Sequence, residues 1–180
     1  DVRQTIRGNF QVWEYRQTNA KLIGIDVDAS YSISGNFIYN GQLSLVKGYD
    51  RTRKEPLINM PPAQIKNKIV FQKNSINNLR LSLESEYNFK QNEYPDNNFE
   101  VFIPEIGATK LVDVSTPPDA YHLLHFNSSI DFKTTKNKTL TVGLEIENLL
   151  NTSYRNYLNR FRYYADDLGR NFLINLKFNY

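Results

Sequence analysis

Apolar and polar residues alternate with a period of two along most of the chain, a pattern that predicts strands. The last ten residues carry it most clearly. Phe172, Ile174, Leu176, Phe178 and Tyr180 form one face, and Asn171, Leu173, Asn175, Lys177 and Asn179 the other. The spacing recurs over residues 140–146, 124–132, 81–89, 23–31 and 39–45, and more weakly over 65–71. A further strand is expected around residues 10–15. The result is about eight strands, most of about 9 to 12 residues. An ordinary globular strand has about 5 to 6 residues, whereas a tilted strand crossing a bilayer needs about 9 to 11. Length therefore favours an all-β, antiparallel transmembrane barrel over a sandwich.

The connections point the same way. Segments 32–36, 73–78 and 133–138 are short polar turns, and segments 47–63, 90–120 and 148–170 are long. The prolines (Pro56, Pro61, Pro62, Pro95, Pro104, Pro117 and Pro118) lie in the long ones, outside the ladders, where their missing N–H costs nothing. Short turns alternating with long loops are the pattern of outer-membrane barrels. The polar faces carry Asp26, Asp28, Arg80, Glu84, Glu86, Asp131, Lys133, Glu145 and Glu147. On a soluble sheet such a face meets solvent, and on a wide barrel it lines a lumen. Tyr31, Tyr39, Tyr87, Phe89, Phe132, Phe178 and Tyr180 sit at strand ends, where interfacial girdles fall.

Composition narrows the options. Aromatics are 13%, with 12 Tyr and 11 Phe, and these residues suit pleated surfaces. The net charge of +3, from 22 Lys+Arg and 19 Asp+Glu, is too mild for a nucleic-acid binder. No apolar run reaches the ~18 residues of a membrane helix. The absence of Cys removes disulfides, thiolate metal sites and Cys nucleophiles. Mean hydropathy is −0.56, as expected if half of each strand faces water and long polar loops are added.

Catalytic motifs are missing: there is no G-x-S-x-G, no phosphate-binding Gly loop and no H-E-x-x-H. His122 and His125 are three residues apart, which on a strand places them on opposite faces. Asp26 and Asp28 share a face, as a lumen-lining pair would. We therefore expect no enzyme activity, no resident cofactor and no metal site. The residues suited to ligand contact lie in the long loops. Arg51, Arg53, Arg155, Arg160 and Arg162 match carboxylate- or phosphate-bearing ligands, and Tyr157 and Tyr163 supply aromatic surface. Segment 156–164 is the densest mixture of the two types.

The end of the chain resembles a known family. Residues 142–154, Val-Gly-Leu-Glu-Ile-Glu-Asn-Leu-Leu-Asn-Thr-Ser-Tyr, look like a penultimate strand followed by an N-L-x-N-x-x-Y signature, filled by Asn148, Leu149, Asn151 and Tyr154. Leu168-Gly-Arg-Asn-Phe172 is similar to a P-G-R-x-aromatic strand entry, with Leu168 in place of Pro and with Gly169, Arg170 and Phe172 retained. Arg170 is suited to tether the strand start by charge-assisted hydrogen bonds. An aromatic C-terminus at Tyr180, behind Phe178, resembles a barrel-assembly signal. These features resemble the C-terminal part of a TonB-dependent outer-membrane receptor. Segment 15–26 (Tyr-x-Gln-x-x-Ala-x-Leu-x-Gly-x-Asp), Met60-Pro-Pro and the 119–124 strand entry agree with it, so the resemblance spans about residues 10–180.

The resemblance implies a 22-stranded barrel around a plug, of which residues 1–180 would be roughly the last third, without plug or TonB-contact segment. It implies the bacterial outer membrane as location. The implied partners are lipid and lipopolysaccharide, the TonB complex through the missing N-terminal region, and a small-molecule nutrient, most readily a ferric siderophore or other metal complex. Two alternatives are a complete eight-stranded outer-membrane barrel with a structural or adhesive role and a soluble lipocalin-like carrier.

Overall fold

The computed structural model describes residues 2–5, 8–11, 17–135 and 138–180. The chain divides into two compact units: Asp1–Ile23 with Lys47–Met60 and Glu93–Thr116, and Gly24–Val46 with Pro61–Asn92 and Pro117–Tyr180. Its strands are β1 (Val2–Thr5), β2 (Gly8–Gln11), β3 (Ala20–Ser34), β4 (Phe37–Asp50), β5 (Glu55–Pro56), β6 (Gln64–Lys73), β7 (Leu79–Asn88), β8 (Phe99–Ile103), β9 (Ala108–Val112), β10 (Tyr121–Thr135), β11 (Lys138–Glu147) and β12 (Asn171–Asn179). A short 3-10 turn, η1, covers Arg160–Tyr163. Among the described residues no helix is long and apolar enough to cross a membrane.

The main sheet runs β12-β11-β10-β7-β6-β4-β3, with β5 paired to β4. The pairings from β12 through β4 are antiparallel. Seven of the expected strands are rungs of this sheet, and β3 and β10 reach 15 residues. The eighth differs. Only Gly8–Gln11 of that region is a described strand, and it pairs with β1 in a separate two-stranded sheet; residues 12–15 of the expectation lie outside the described residues. A local hairpin closes a short loop and needs less chain entropy than a distant rung.

The 90–120 connection also holds a hairpin, β8–β9, where the pattern predicts only loop. Phe99, Val101 and Ile103 alternate in its first arm. The turn between its arms holds Gly107 at φ +60°. Five-residue arms, the first bracketed by Pro95 and Pro104, are too short for periodicity to stand out. In the same unit Asp113 accepts the N–H groups of Ser115 and Thr116, and these bonds, with the Thr116 hydroxyl first, hold its carboxyl below the usual range.

Register builds the faces of the main sheet. One row on the apolar face reads Tyr39, Ile69, Leu83, Phe126, Ile146, Phe172 across six strands. The polar face carries Asn40, Lys68, Glu84 and His125 in one row and Gln42, Lys66, Glu86 and Leu123 in the next. The short turn between β6 and β7 uses Asn77 and Asn78 at φ +49° and +53°, a conformation Asn accepts readily. Residues 136 and 137, within the expected β10–β11 turn, lie outside the described residues.

Burial is inverted relative to a soluble sheet. On the apolar face Leu83 is 44% exposed and Ile174 73%. On the polar face Ser82 and Asn88 are buried, and so are Val70 and Leu123, two of the three buried apolar residues among those described. On the central strands β6 and β7 the charged face is thus the more shielded one, whereas on β3, and on β12 beyond Asn171, both faces are exposed.

Candidate functional site

The shielded face is held by pairs across strands. Lys66 Nζ lies 3.0 Å from Glu86 Oε2 and Lys68 Nζ 2.9 Å from Glu84 Oε2. Gln64 donates to Glu86 Oε1 at 3.0 Å and to Asn88 Oδ1 at 2.8 Å. Thr141 and Asn78 donate to the two oxygens of Asp131, and Ser44 donates to Asp26 at 2.5 Å. Glu84, Glu86, Glu145 and Glu147 line one depression with Lys68 and His125. His125 Nε2 is 4.0 Å from Glu86 Oε2. His122 faces the other way, with Nε2 2.8 Å from Ser85 Oγ. Among the described residues no three His, Asp or Glu side chains are grouped to hold a metal ion.

The 148–170 connection is the most built part of this unit. Asn148 is buried at φ +48°. Its amide donates to Thr152 O (2.8 Å) and Leu168 O (3.3 Å) and accepts Thr152 N–H at 2.8 Å. The connection's two ends are thereby tied together. Leu149 N–H extends the ladder to Leu124 O at 2.6 Å. Asn151, at φ +56°, accepts Arg170 N–H through Oδ1 at 2.9 Å. A Cβ on residue 169 would sit 2.8 Å from that Oδ1, so Gly169 lets the Asn151 side chain approach without being displaced. At the strand entry Arg170 contributes its backbone N–H, where its residue type suggests a guanidinium contact. Phe172 pairs with Ile146, Phe178 pairs with Leu140, and the Tyr180 ring stacks on Phe178 at 6.3 Å.

Two adjacent aspartates fasten the arm 153–163. Asp166 accepts from Ser153 Oγ (2.5 Å) and Arg155 Nε (2.6 Å), and the hydroxyl followed by the guanidinium holds its carboxyl below the usual range. Asp167 accepts Asn156 N–H at 2.6 Å and Asn159 Nδ2 at 2.7 Å. Asn159 also caps η1, accepting Phe161 N–H at 2.9 Å. The Tyr154 ring lies 4.6 Å from that of Tyr121; burial, then the charge of Asp167, raises its phenol pKa.

Of the loop residues expected to meet a ligand, several are engaged within the protein. Arg162 is buried, its guanidinium 4.2 Å from the centre of the Tyr157 ring and 4.7 Å from that of Tyr163. Tyr157 is buried as well. Arg155 pairs with Asp166 and also donates to Arg162 O at 2.9 Å. Arg160 is exposed on η1, next to the exposed Phe161. Arg51 and Arg53 belong to the other unit. There Arg53 lies 3.5 Å from Glu55, and both backbone N–H groups are bonded, Arg51 to Asn19 O and Arg53 to Asp50. Sequence reasoning missed Asp166 and Asp167, whose roles depend on the arm folding back over them.

Comparison with known proteins adds the fold. No protein-family model and no curated protein matches the chain. Among solved structures it is similar to the copper transporter OprC, with a TM-score of 0.67 and 16% identity over 86% of this chain. The chain spans 22% of the length of that transporter's chain. The fold is thus all-β and antiparallel, of the outer-membrane barrel type.

Proposed function

We propose that this chain is the C-terminal part of the barrel of a TonB-dependent receptor in a bacterial outer membrane, acting in energised uptake of a scarce nutrient and not as an enzyme. The observation that carries the proposal is the inverted burial of the main sheet. A face whose Leu83 is 44% exposed while Ser82, its neighbour on the other face of β7, is 7% exposed suits hydrocarbon outside and an aqueous lumen inside. A soluble lipocalin-like carrier needs the reverse, with its apolar face shielded. The 148–170 connection, tied at its ends by Asn148 and Asn151, fits a loop that closes the last two strands. The likeness to the copper transporter is one of fold; the cargo we assign, a metal complex with a ferric siderophore first, is carried over from the family resemblance of the closing motif.

In this reading lipid and lipopolysaccharide contact the apolar face and girdles, and the TonB complex engages a region outside residues 1–180. Growth of a deletion strain under metal limitation tests the transport claim. Loss of growth on one ferric siderophore or on copper, restored by the gene, is the expected result. Unchanged growth and uptake for every ferric siderophore and for copper would overturn the cargo assignment. A detergent-free, monodisperse monomer would overturn the membrane assignment.

A further inference from the structure

His125 joins the charged face of the sheet to the 148–170 connection. Its Nδ1 lies 3.4 Å from the backbone nitrogen of Asn148 and accepts that N–H. A ring nitrogen that accepts carries no proton, so the imidazole is neutral with its hydrogen on Nε2. Nε2 is buried and bonded to no protein atom among the described residues. Glu86 Oε2 stands 4.0 Å from it, beyond hydrogen-bond reach. The ring is therefore held on one side and unsatisfied on the other.

The bond to Asn148 sits where the connection is anchored. Asn148 is buried, so its N–H meets no water in place if His125 releases it. The same residue ties Thr152 to Leu168. At the far end of the connection Asn171 donates to Glu147 Oε2 at 3.1 Å. Glu147 lies one step beyond the Phe126–Ile146 pair, beside His125.

Charged groups face the ring from three strands. β7 contributes Glu84 and Glu86, β6 contributes Lys66 and Lys68, and β11 contributes Glu145 and Glu147. The lysines are paired with Glu86 and Glu84. Glu145 and Glu147 have no basic partner among the described residues. Tyr121 on the same strand, Tyr154 stacked on it and the nearby Asp167 complete the titratable groups at that end. Carboxylates ordinarily titrate below about pH 5 and phenols above about pH 9. The imidazole is thus the group here that changes charge between about pH 5 and 8.

We propose that His125 is a proton-operated latch on the 148–170 connection. Neutral, it holds the Asn148 N–H. Once Nδ1 takes a proton from solution it is a donor, and two donors cannot share a bond. The ring then turns its N–H groups toward Glu86 and the unpaired Glu147, and Asn148 is released. Its freed N–H is buried, so the first turn of the connection opens to water to satisfy it. Acidification thereby loosens the connection that carries the exposed Arg160 and Phe161.

Hydrogen exchange of the full protein in phospholipid vesicles tests the latch. Protection of residues 148–152, relative to intrinsic rates, should fall roughly tenfold between about pH 8 and 5, the share of one buried hydrogen bond. Protection of residues 171–179 should not change. In His125→Gln the side-chain oxygen still accepts but takes up no proton, so protection should stay level over that range. Glu147→Gln removes a receiving carboxylate, and should keep the parent's protection at the upper pH while moving the fall to lower pH. Constant protection in the parent, an equal fall in His125→Gln, or a parallel loss over 171–179 would overturn the proposal. The readout follows the latch and not transport, so its failure leaves the uptake assignment standing. Absent uptake with the pH response intact would count against that assignment alone.

Discussion

Lysine at Ile174 tests the inverted burial most directly. Ile174 is 73% exposed on β12, pairs with Leu144, and stands four residues from Phe178. At ~3.4 Å per residue and ~40° tilt it lies roughly 10 Å from the Phe178 girdle, near the bilayer centre. A lysine there costs about 2–4 kcal/mol in lipid. That is a loss of roughly 30- to 1000-fold in the folding equilibrium, at about 1.4 kcal/mol per decade. On a solvated surface the same change stays within about ±0.5 kcal/mol. Two controls sharpen the test. Leu173→Lys, on the polar face opposite Glu145, should be near neutral, gaining an exposed cross-strand ion pair of well under about 1 kcal/mol. Phe178→Lys, at the girdle, should lose only about 0–1 kcal/mol from charge placement, plus its packing on Leu140. Urea unfolding of the full protein in phospholipid vesicles, read by the mobility difference between folded and unfolded forms, gives all three values. Equal stability of Ile174→Lys and Leu173→Lys would refute the assignment of lipid to the apolar face.

Three further outcomes concern the 148–170 connection. Asn148→Ala should destabilise by about 2–4 kcal/mol in the same unfolding assay, because it strands buried backbone groups and forces a left-handed alanine; Asn148→Gly should recover only the backbone part. Gly169→Ala should cost about 1–2 kcal/mol by pushing on Asn151 Oδ1, and the double variant with Asn151→Ala should cost less than the sum of the singles. Asp166 titrates below the ordinary carboxylate range, so its hold on Ser153 and Arg155 is complete above the unfolded value of about 3.9 and is lost as pH falls through the lower folded value. Protection of the amides of residues 155–164, relative to their intrinsic exchange rates, should accordingly hold down to about pH 4 and fall below it, whereas Asp166→Asn should be less protected above that pH and converge on the parent below it.

Much of the sheet was legible because a half-buried strand imprints its faces on sequence as a period of two. Residues 171–179 and 138–147 illustrate this, since Phe172, Ile174, Leu176 and Phe178 meet Ile146, Leu144, Val142 and Leu140 in unbroken register. The eighth expected strand was not legible as a partner choice. Gly8–Gln11 has strand character, but its pairing with Val2–Thr5 is a contest between loop-closure costs that periodicity does not encode. The β8–β9 hairpin was hidden by its shortness and its prolines.

The closing loop divides similarly. Its asparagines and Gly169 announce a tight turn, but the sequence presents Arg155, Arg162 and Tyr157 simply as basic and aromatic residues in a loop. Only the folded arm turns Arg162 inward between two rings and pairs Arg155 with Asp166. By itself the sequence determined which residues share a face, where the chain turns, and that the connections alternate between short and long, because these follow from local geometry at a spacing of two residues. The tertiary structure decided which face is shielded. Exposure depends on neighbouring strands and on the arms folded against them, and alternation alone reads the same from either side of the sheet.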